Sequence, residues 1–203
     1  MNKTLWNKYM GDVGVNHSEL GGADLKKYDV APIVKDVFLA SNIDEKIKKV
    51  LCIGCGFGQE VMLFKEKGYE ATGITYCKED IKNAKELLEL NILEADMHDL
   101  PIEDNSFDLV FVRQVFEHSL SPYIVLSEIS RVTKNGFYVV IFLPHIYEWS
   151  MHDRHIMIPT KYQLECLALK FNLILSDHLI DISSVHRKWN SYVYIFKKEE
   201  KIK

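Results

Sequence analysis

A mostly parallel α/β fold is what this sequence predicts, on three observations. Short apolar runs alternate with segments of helical periodicity, the first such run ends in a glycine-rich turn, and the last two runs have no helical stretch between them. Strands joined by crossover helices lie parallel, whereas two β runs without an intervening helix pair antiparallel.

Val50 to Ile53 reads as a short buried strand, Gln59 to Lys67 as a helix ended by Gly68, and Glu70 to Thr75 as a second strand. Glu79 to Leu90 has the helical spacing, with apolar or small residues at Ile81, Ala84, Leu87 and Leu88. Phe107 to Val112 and Phe137 to Phe142 are the next strands, separated by a helix from Pro122 to Val132 that the turn Lys134-Asn135-Gly136 closes. A helix around Tyr162 to Phe171 then precedes the two β runs Leu173 to Leu179 and Tyr192 to Phe196. Residues 1–45 show no early strand and predict a helical cap across the sheet's active edge. Residues 145–159 form an irregular insertion after a strand end, where ligands of open parallel sheets bind.

With 203 residues, 47% of them hydrophobic, the chain can bury one large core, and a single domain over residues 1–203 is expected. A net charge of -4 with interspersed signs provides no basic field for a phosphate backbone, which argues against a nucleic-acid partner. No signal-peptide layout and no run long enough to cross a bilayer are present, so a cytoplasmic protein without a membrane partner is expected. Cys52, Cys55, Cys77 and Cys166 follow no disulfide framework and read as free thiols of a reducing compartment. The expected assembly is a monomer or a homodimer.

The turn Gly54-Cys55-Gly56-Phe57-Gly58 lets backbone approach a ligand closely while presenting a helix N-terminus to it. That pattern alone indicates a nucleotide-like ligand. Dehydrogenases need GxGxxG and an acidic residue about 20 positions on. Here the spacing is GxGxG, Gln59 stands where the last glycine would fall, and Thr75 ends the second strand without a carboxylate.

From about Val50 to Phe196 the chain resembles the class I S-adenosylmethionine-dependent methyltransferases, in particular the small-molecule branch of ubiquinone-biosynthesis and sugar-tailoring enzymes. The glycine turn, Glu94-Ala95-Asp96-Met97 before Leu100-Pro101, Asn105-Ser106-Phe107-Asp108-Leu109-Val110, and Glu117-His118 before Pro122 carry the resemblance together. It implies a Rossmann-like three-layer sandwich whose seven strands run in the order 3-2-1-4-5-7-6, the last antiparallel. It also implies S-adenosyl-L-methionine as cofactor and S-adenosyl-L-homocysteine as product. Gly54, Cys55, Gly56 and Gly58 would then approach its methionine and ribose portions, Asp96 its adenine amino group and the Met97 backbone N–H a ring nitrogen. Tyr76 would pack on the adenine face and Gln114 would lie near the methionine end. Cys52 and Thr75 stand where this family usually places acids that order the amino group and the ribose. The stretch Gly73-Ile74-Thr75 is similar to the cyclopropane fatty acid synthase branch, where threonine is normal and a polar residue five positions on reaches the ribose. The resemblance assigns that contact to Asp80, alongside Thr75.

Methyl transfer is an in-line displacement that depends on alignment and exclusion of water, with a general base needed only for weak nucleophiles. His118, just beyond the fourth strand, is the best-placed base. His155 and His152, in the insertion that also holds His145, are candidates for the acceptor site; Asp153-Arg154-His155 resembles an Asp-x-x-His element of sugar methyltransferases with shorter spacing. No metal is expected. Ubiquinone-pathway relatives carry Glu-x-x-Glu-His where Gln114 here removes the first carboxylate, and His145, His152 and His155 match no helical ligand spacing. Cys52-Ile53-Gly54-Cys55 reads as packing in a buried strand. Trp6, Tyr9, Trp149 and Phe116 suit either an aromatic wall or ordinary core. The expected reaction is methylation of an oxygen or nitrogen of a small molecule such as a sugar, an isoprenoid-like or a polyketide-like acceptor. The alternatives are methylation of nucleic acid or protein, the former lacking an Asn-Pro-Pro-Tyr element after the fourth strand, or a non-catalytic cofactor-binding protein on the same fold.

Overall fold

A computed structural model describes residues 46–144, 155–180 and 191–200. In chain order these form β1 (Lys49–Ile53), α1 (Gln59–Glu66), β2 (Glu70–Thr75), α2 (Lys78–Leu88), β3 (Leu93–Glu94) and β4 (Phe107–Arg113). A 3₁₀ turn (Phe116–His118), α3 (Pro122–Val132), β5 (Thr133–Pro144), α4 (Lys161–Leu169), β6 (Leu173–Ile180) and β7 (Ser191–Lys198) follow. The strands make one seven-stranded sheet in the order β3-β2-β1-β4-β5-β7-β6. β1, β2, β3, β4 and β5 pair parallel, and β7 runs antiparallel to both β5 and β6. The expected order and the antiparallel last strand are both observed.

Strands covered on both faces are apolar at successive positions rather than alternately, and β4 shows why: every residue from Phe107 to Val112 except Asp108 is hydrophobic and all six are buried. Leu51, Ile53, Val110, Val112, Val139 and Ile141 point into one core, which α3 and α4 complete with Leu126, Ile129 and Leu164. Val50, Cys52, Leu109, Phe111 and Phe142 point into the other, closed by Val61 and Phe64 of α1 and Ala84 of α2. Helices on both faces of one sheet are the three-layer sandwich.

Most element ends lie within two residues of the sequence reading, and two strands depart further. β5 begins at Thr133 rather than Phe137, with a register shift opposite Phe107/Leu109 that leaves the turn residues Lys134-Asn135-Gly136 as an irregularity within the strand. β3 is only two residues long, too short to leave a pattern in the sequence. The cap over residues 1–45 and the insertion up to residue 154, with Trp6, Tyr9, His145, Trp149 and His152, lie outside the described residues.

Asp108 shows how the sheet tolerates a buried acid. Burial opposes its ionisation, yet its carboxylate accepts from Lys134 Nζ at 2.7 Å and from the Lys48 and Lys49 N–H groups at 2.8 Å. These bonds hold its carboxyl below the usual range. Phe111, at the centre of β4, meets Phe64 edge-on at 5.4 Å and Phe142 at 5.0 Å between ring centroids. Phe111→Ala is therefore expected to lower stability by about 3–5 kcal/mol in urea unfolding, because its cavity is walled by two rings on a rigid sheet.

Candidate functional site

The carboxyl ends of β2, β1 and β4 lie side by side, and the turn leaving each one contributes to a common edge. After β1 the chain turns through Gly54 and Gly56 with φ of 64° and 54°, a left-handed path that side chains rarely adopt. Space differs sharply between the glycines. A Cβ on Gly54 would stand 2.4 Å from Val115 Cγ2, and one on Gly58 would stand 2.8 Å from Ile92 Cδ1. A Cβ on Gly56 would meet nothing nearer than Asp80 Oδ2 at 3.9 Å. Gly54 and Gly58 thus pack against protein, whereas a Cβ on Gly56 would clash with nothing and would reach the buried Asp80 carboxylate at ordinary contact distance.

Asp80 is buried in the first turn of α2, where the helix N-terminus favours a carboxylate. Thr75 is buried too, and its hydroxyl accepts from the Cys77 N–H at 3.3 Å, so it shapes the turn into α2. Tyr76 stands exposed beside it. Beyond β3, Asp96 Oδ1 accepts from the His98 N–H at 2.9 Å and faces His98 Nδ1 at 2.6 Å. Met97 packs against the core next to it. Gln114, at the end of β4, has φ of 52° and gives its side-chain amide to Ser191 Oγ at 2.8 Å. Its side chain is thereby tied to the start of β7.

Cys52 and Cys55 are buried, and burial pushes both thiols well above their usual range, so neither replaces an acid. A carboxylate nevertheless stands close by. Glu60, in the first turn of α1, is buried and bonded to Arg113 Nε at the end of β4, and its charge acts on both cysteines. Sequence reasoning missed this pair because its members lie 53 positions apart.

The turn after β4 carries Phe116, Glu117 and His118. The Glu117 carbonyl accepts from the Ile156 and Met157 N–H groups at 2.9 and 3.3 Å, drawing the stretch after residue 154 onto this turn. His118 and His155 are consequently in ring contact, with centroids 5.1 Å apart. Two of the three histidines singled out from sequence thus meet, and His152 lies outside the described residues. Phe116 is core rather than an acceptor wall. Glu117, absent from the candidate residues, is buried with Oε2 lacking a hydrogen-bond partner among the described residues. Burial raises its carboxyl to about 8. Ligating atoms of Glu117, His118 and His155 lie within 4.8 Å of one another, so a carboxylate and two imidazoles could also receive a divalent ion.

Two outcomes follow from this geometry. Gly54→Ala should cost about 1–3 kcal/mol through its positive φ and the clash with Val115, whereas Gly56→Ala should fold with a smaller loss yet weaken ligand binding, read by thermal melts beside calorimetry. Because the Glu117 pKa is raised above its ordinary 4.5 to about 8, the folded state binds the extra proton. Its contribution is fully present below pH about 4.5 and is lost as pH rises towards about 8. In urea titrations across that window, Glu117→Gln should flatten the fall in stability that wild type shows.

The chain matches the family described as "Methyltransferase domain" over residues 51–141. It is 35% identical over 171 residues to the sterol 24-C-methyltransferase ERG6B of Gibberella zeae, covering 79% of this chain and 42% of that protein. It is 30% identical over 157 residues to the chloroplastic tocopherol O-methyltransferase of Arabidopsis thaliana, covering 68% and 45%. The chain spans less than half the length of these curated relatives. A SAM-dependent methyltransferase from Archaeoglobus fulgidus superposes with a TM-score of 0.65 over 82% of this chain and 93% of its own, at 22% identity, a likeness of fold. Glycine turn, strand order and relatives agree on a methyltransferase domain over residues 51–141, on a fold shared with the solved S-adenosylmethionine-dependent methyltransferase.

Proposed function

We propose that this chain transfers a methyl group from S-adenosylmethionine to an oxygen or nitrogen of a small-molecule acceptor with an apolar body. The observation that supports this best is the placement of the Gly54–Gly58 turn and the His118–His155 pair beyond the ends of neighbouring strands β1 and β4. A cofactor seat and a proton-handling pair then share one edge. The residues fit the cofactor on one structural point in particular: of the three turn glycines, Gly56 is the one whose Cβ position is not crowded by a neighbouring side chain, and it lies beside the Asp80 carboxylate.

In this reading Gly54, Cys55, Gly56 and Gly58 flank the methionine and ribose portions, with Gln114 at the methionine end. Asp80 holds the ribose hydroxyls from the first turn of α2, and Thr75 shapes the turn that puts it there. Tyr76 and Met97 border the adenine, and Asp96 accepts from its amino group. When bound, the cofactor supplies a methyl group on a positively charged sulfur. His118 takes the proton from the acceptor's hydroxyl or amine through its imidazole, and His155 orients that ring from 5.1 Å. His152 is assigned to the same acceptor side. Glu117, kept protonated by burial near neutral pH, adds no negative charge beside the acceptor.

Ile156 and Met157, 44% and 37% exposed beside His155, favour an apolar acceptor body. The sterol and tocopherol named for the relatives are of that kind. No described helix is long and apolar enough to cross a membrane. With a net charge of -4, a small molecule rather than nucleic acid is the proposed partner of a cytoplasmic monomer or homodimer.

Calorimetry with S-adenosylmethionine and S-adenosylhomocysteine tests the reading directly: both should bind, and binding of neither would overturn it in favour of a non-catalytic protein. With an acceptor found by radiolabel transfer, His118→Ala should lower kcat by about 10²–10⁴-fold while product binding stays unchanged. Activity lost on dialysis against a chelator and restored by a divalent ion would reassign Glu117, His118 and His155 from proton handling to metal ligation.

A further inference from the structure

His98 occupies a position that neither the family resemblance nor the reaction above uses, and its surroundings are unusually specific for a residue in a short loop. Its side chain is 6% exposed and lies between two elements far apart in sequence. On one side Nδ1 stands 2.6 Å from Asp96 Oδ1, the oxygen that also accepts the His98 N–H at 2.9 Å. On the other, Nε2 stands 3.1 Å from Ser119 Oγ, and the Ser121 N–H points at both Ser119 Oγ (3.1 Å) and His98 Nε2 (3.4 Å). One tautomer suits every partner. With the proton on Nδ1, the ring donates to the carboxylate, and Nε2 accepts from the Ser119 hydroxyl and the Ser121 N–H.

Two bonds to a single carboxylate oxygen fix both the position of the Asp96 carboxyl group and its rotation, which a flexible side chain would otherwise sample. The far end of the ring is fixed in turn. Ser119 is 1% exposed and immediately follows His118, and its N–H is bonded to the Phe116 carbonyl at 3.0 Å. The imidazole is therefore a strut between the loop after β3 and the turn after β4.

We propose that His98 is a positioning residue: it aims the Asp96 carboxylate at the adenine amino group of the cofactor and braces that carboxylate against the turn bearing Glu117 and His118. The inference rests on the reading of Asp96 as the adenine-facing acid, and it adds a second consequence, that adenine recognition and the acceptor-side turn are mechanically joined. Selectivity for an amino group over a carbonyl at the purine 6-position follows, since a carboxylate held in place accepts from the first and repels the second.

The test compares binding of S-adenosylhomocysteine with that of S-inosylhomocysteine, which carries a carbonyl where adenine carries its amino group, by calorimetry on the full chain. Wild type should prefer the adenine ligand, and His98→Ala should reduce that preference about tenfold, the scale of one hydrogen bond to a charged group. His98→Asn, whose amide nitrogen can take the place of Nδ1, should restore it, and His98→Gln, which reaches towards Ser119 instead, should not. A purely structural role would weaken both ligands equally and leave their ratio at the wild-type value, and that result overturns the proposal. So does an unrestored ratio in His98→Asn. Asp96→Ala separates the two levels: if it too leaves the ratio intact, the adenine assignment of Asp96 fails, whereas if it abolishes the preference while His98→Ala keeps it, only the role of His98 fails.

Discussion

Everything at the active edge depends on how closely the turn after β1 approaches the turn after β4. Gly54 leaves no room for a methyl group against Val115, whose side-chain carbons would lie between 2.4 and 2.8 Å from a Cβ there. These two strands are direct neighbours at the centre of the sheet, so the contact is set by the 4.7–4.9 Å spacing of paired strands and cannot be relaxed by shifting a surface loop. The consequence is chemical. The glycine turn and the turn bearing Glu117 and His118 are pressed together, and the distance between them is fixed by secondary structure.

Four buried or half-buried acids of this sheet are each handled differently. Asp108 is ionised and triply bonded at the far end of β4. Glu60 is paired with Arg113, joining the first turn of α1 to the end of β4. Asp96 is joined to His98, and through it to Ser119. Glu117 alone among these has no such partner for Oε2 in the described residues, and burial answers by keeping it protonated up to about pH 8. A buried carboxyl with one oxygen left without a partner among the described residues, adjacent to two imidazoles, stores chemistry rather than stability.

The parts legible in the sequence were those written in local pattern. Apolar runs, the first two bordered by glycine, gave away β1, β2 and β4, and helical spacing marked α1, α2 and α3, because burial on one or both faces imposes a short period on the chain. Phe137 marked β5 too late, since its first residues include Lys134, Asn135 and Gly136, which belong to a bulge and read as a turn. The site was legible only in part. His118 and His155 could be named singly, but their meeting depends on two backbone bonds to the Glu117 carbonyl, and Glu60 finds Arg113 across 53 positions. Such partnerships leave no spacing to read. They are products of topology, which places strand ends together irrespective of their order in the chain.

The same distinction changes the meaning of the two missing acids. By the family resemblance, Cys52 and Thr75 strip the strand ends of two carboxylates usual there. In the fold, both positions are buried and occupied: Cys52 is a desolvated thiol inside a core, and the Thr75 hydroxyl is used by the Cys77 N–H. The carboxylates stand one element further on, Glu60 in the first turn of α1 and Asp80 in the first turn of α2. A helix N-terminus stabilises negative charge there, whereas an acid within the strand would have to be desolvated against apolar neighbours. Both acids are themselves buried, so the helix starts offset a desolvation that Asp108, within β4, meets instead with Lys134 and two backbone N–H groups.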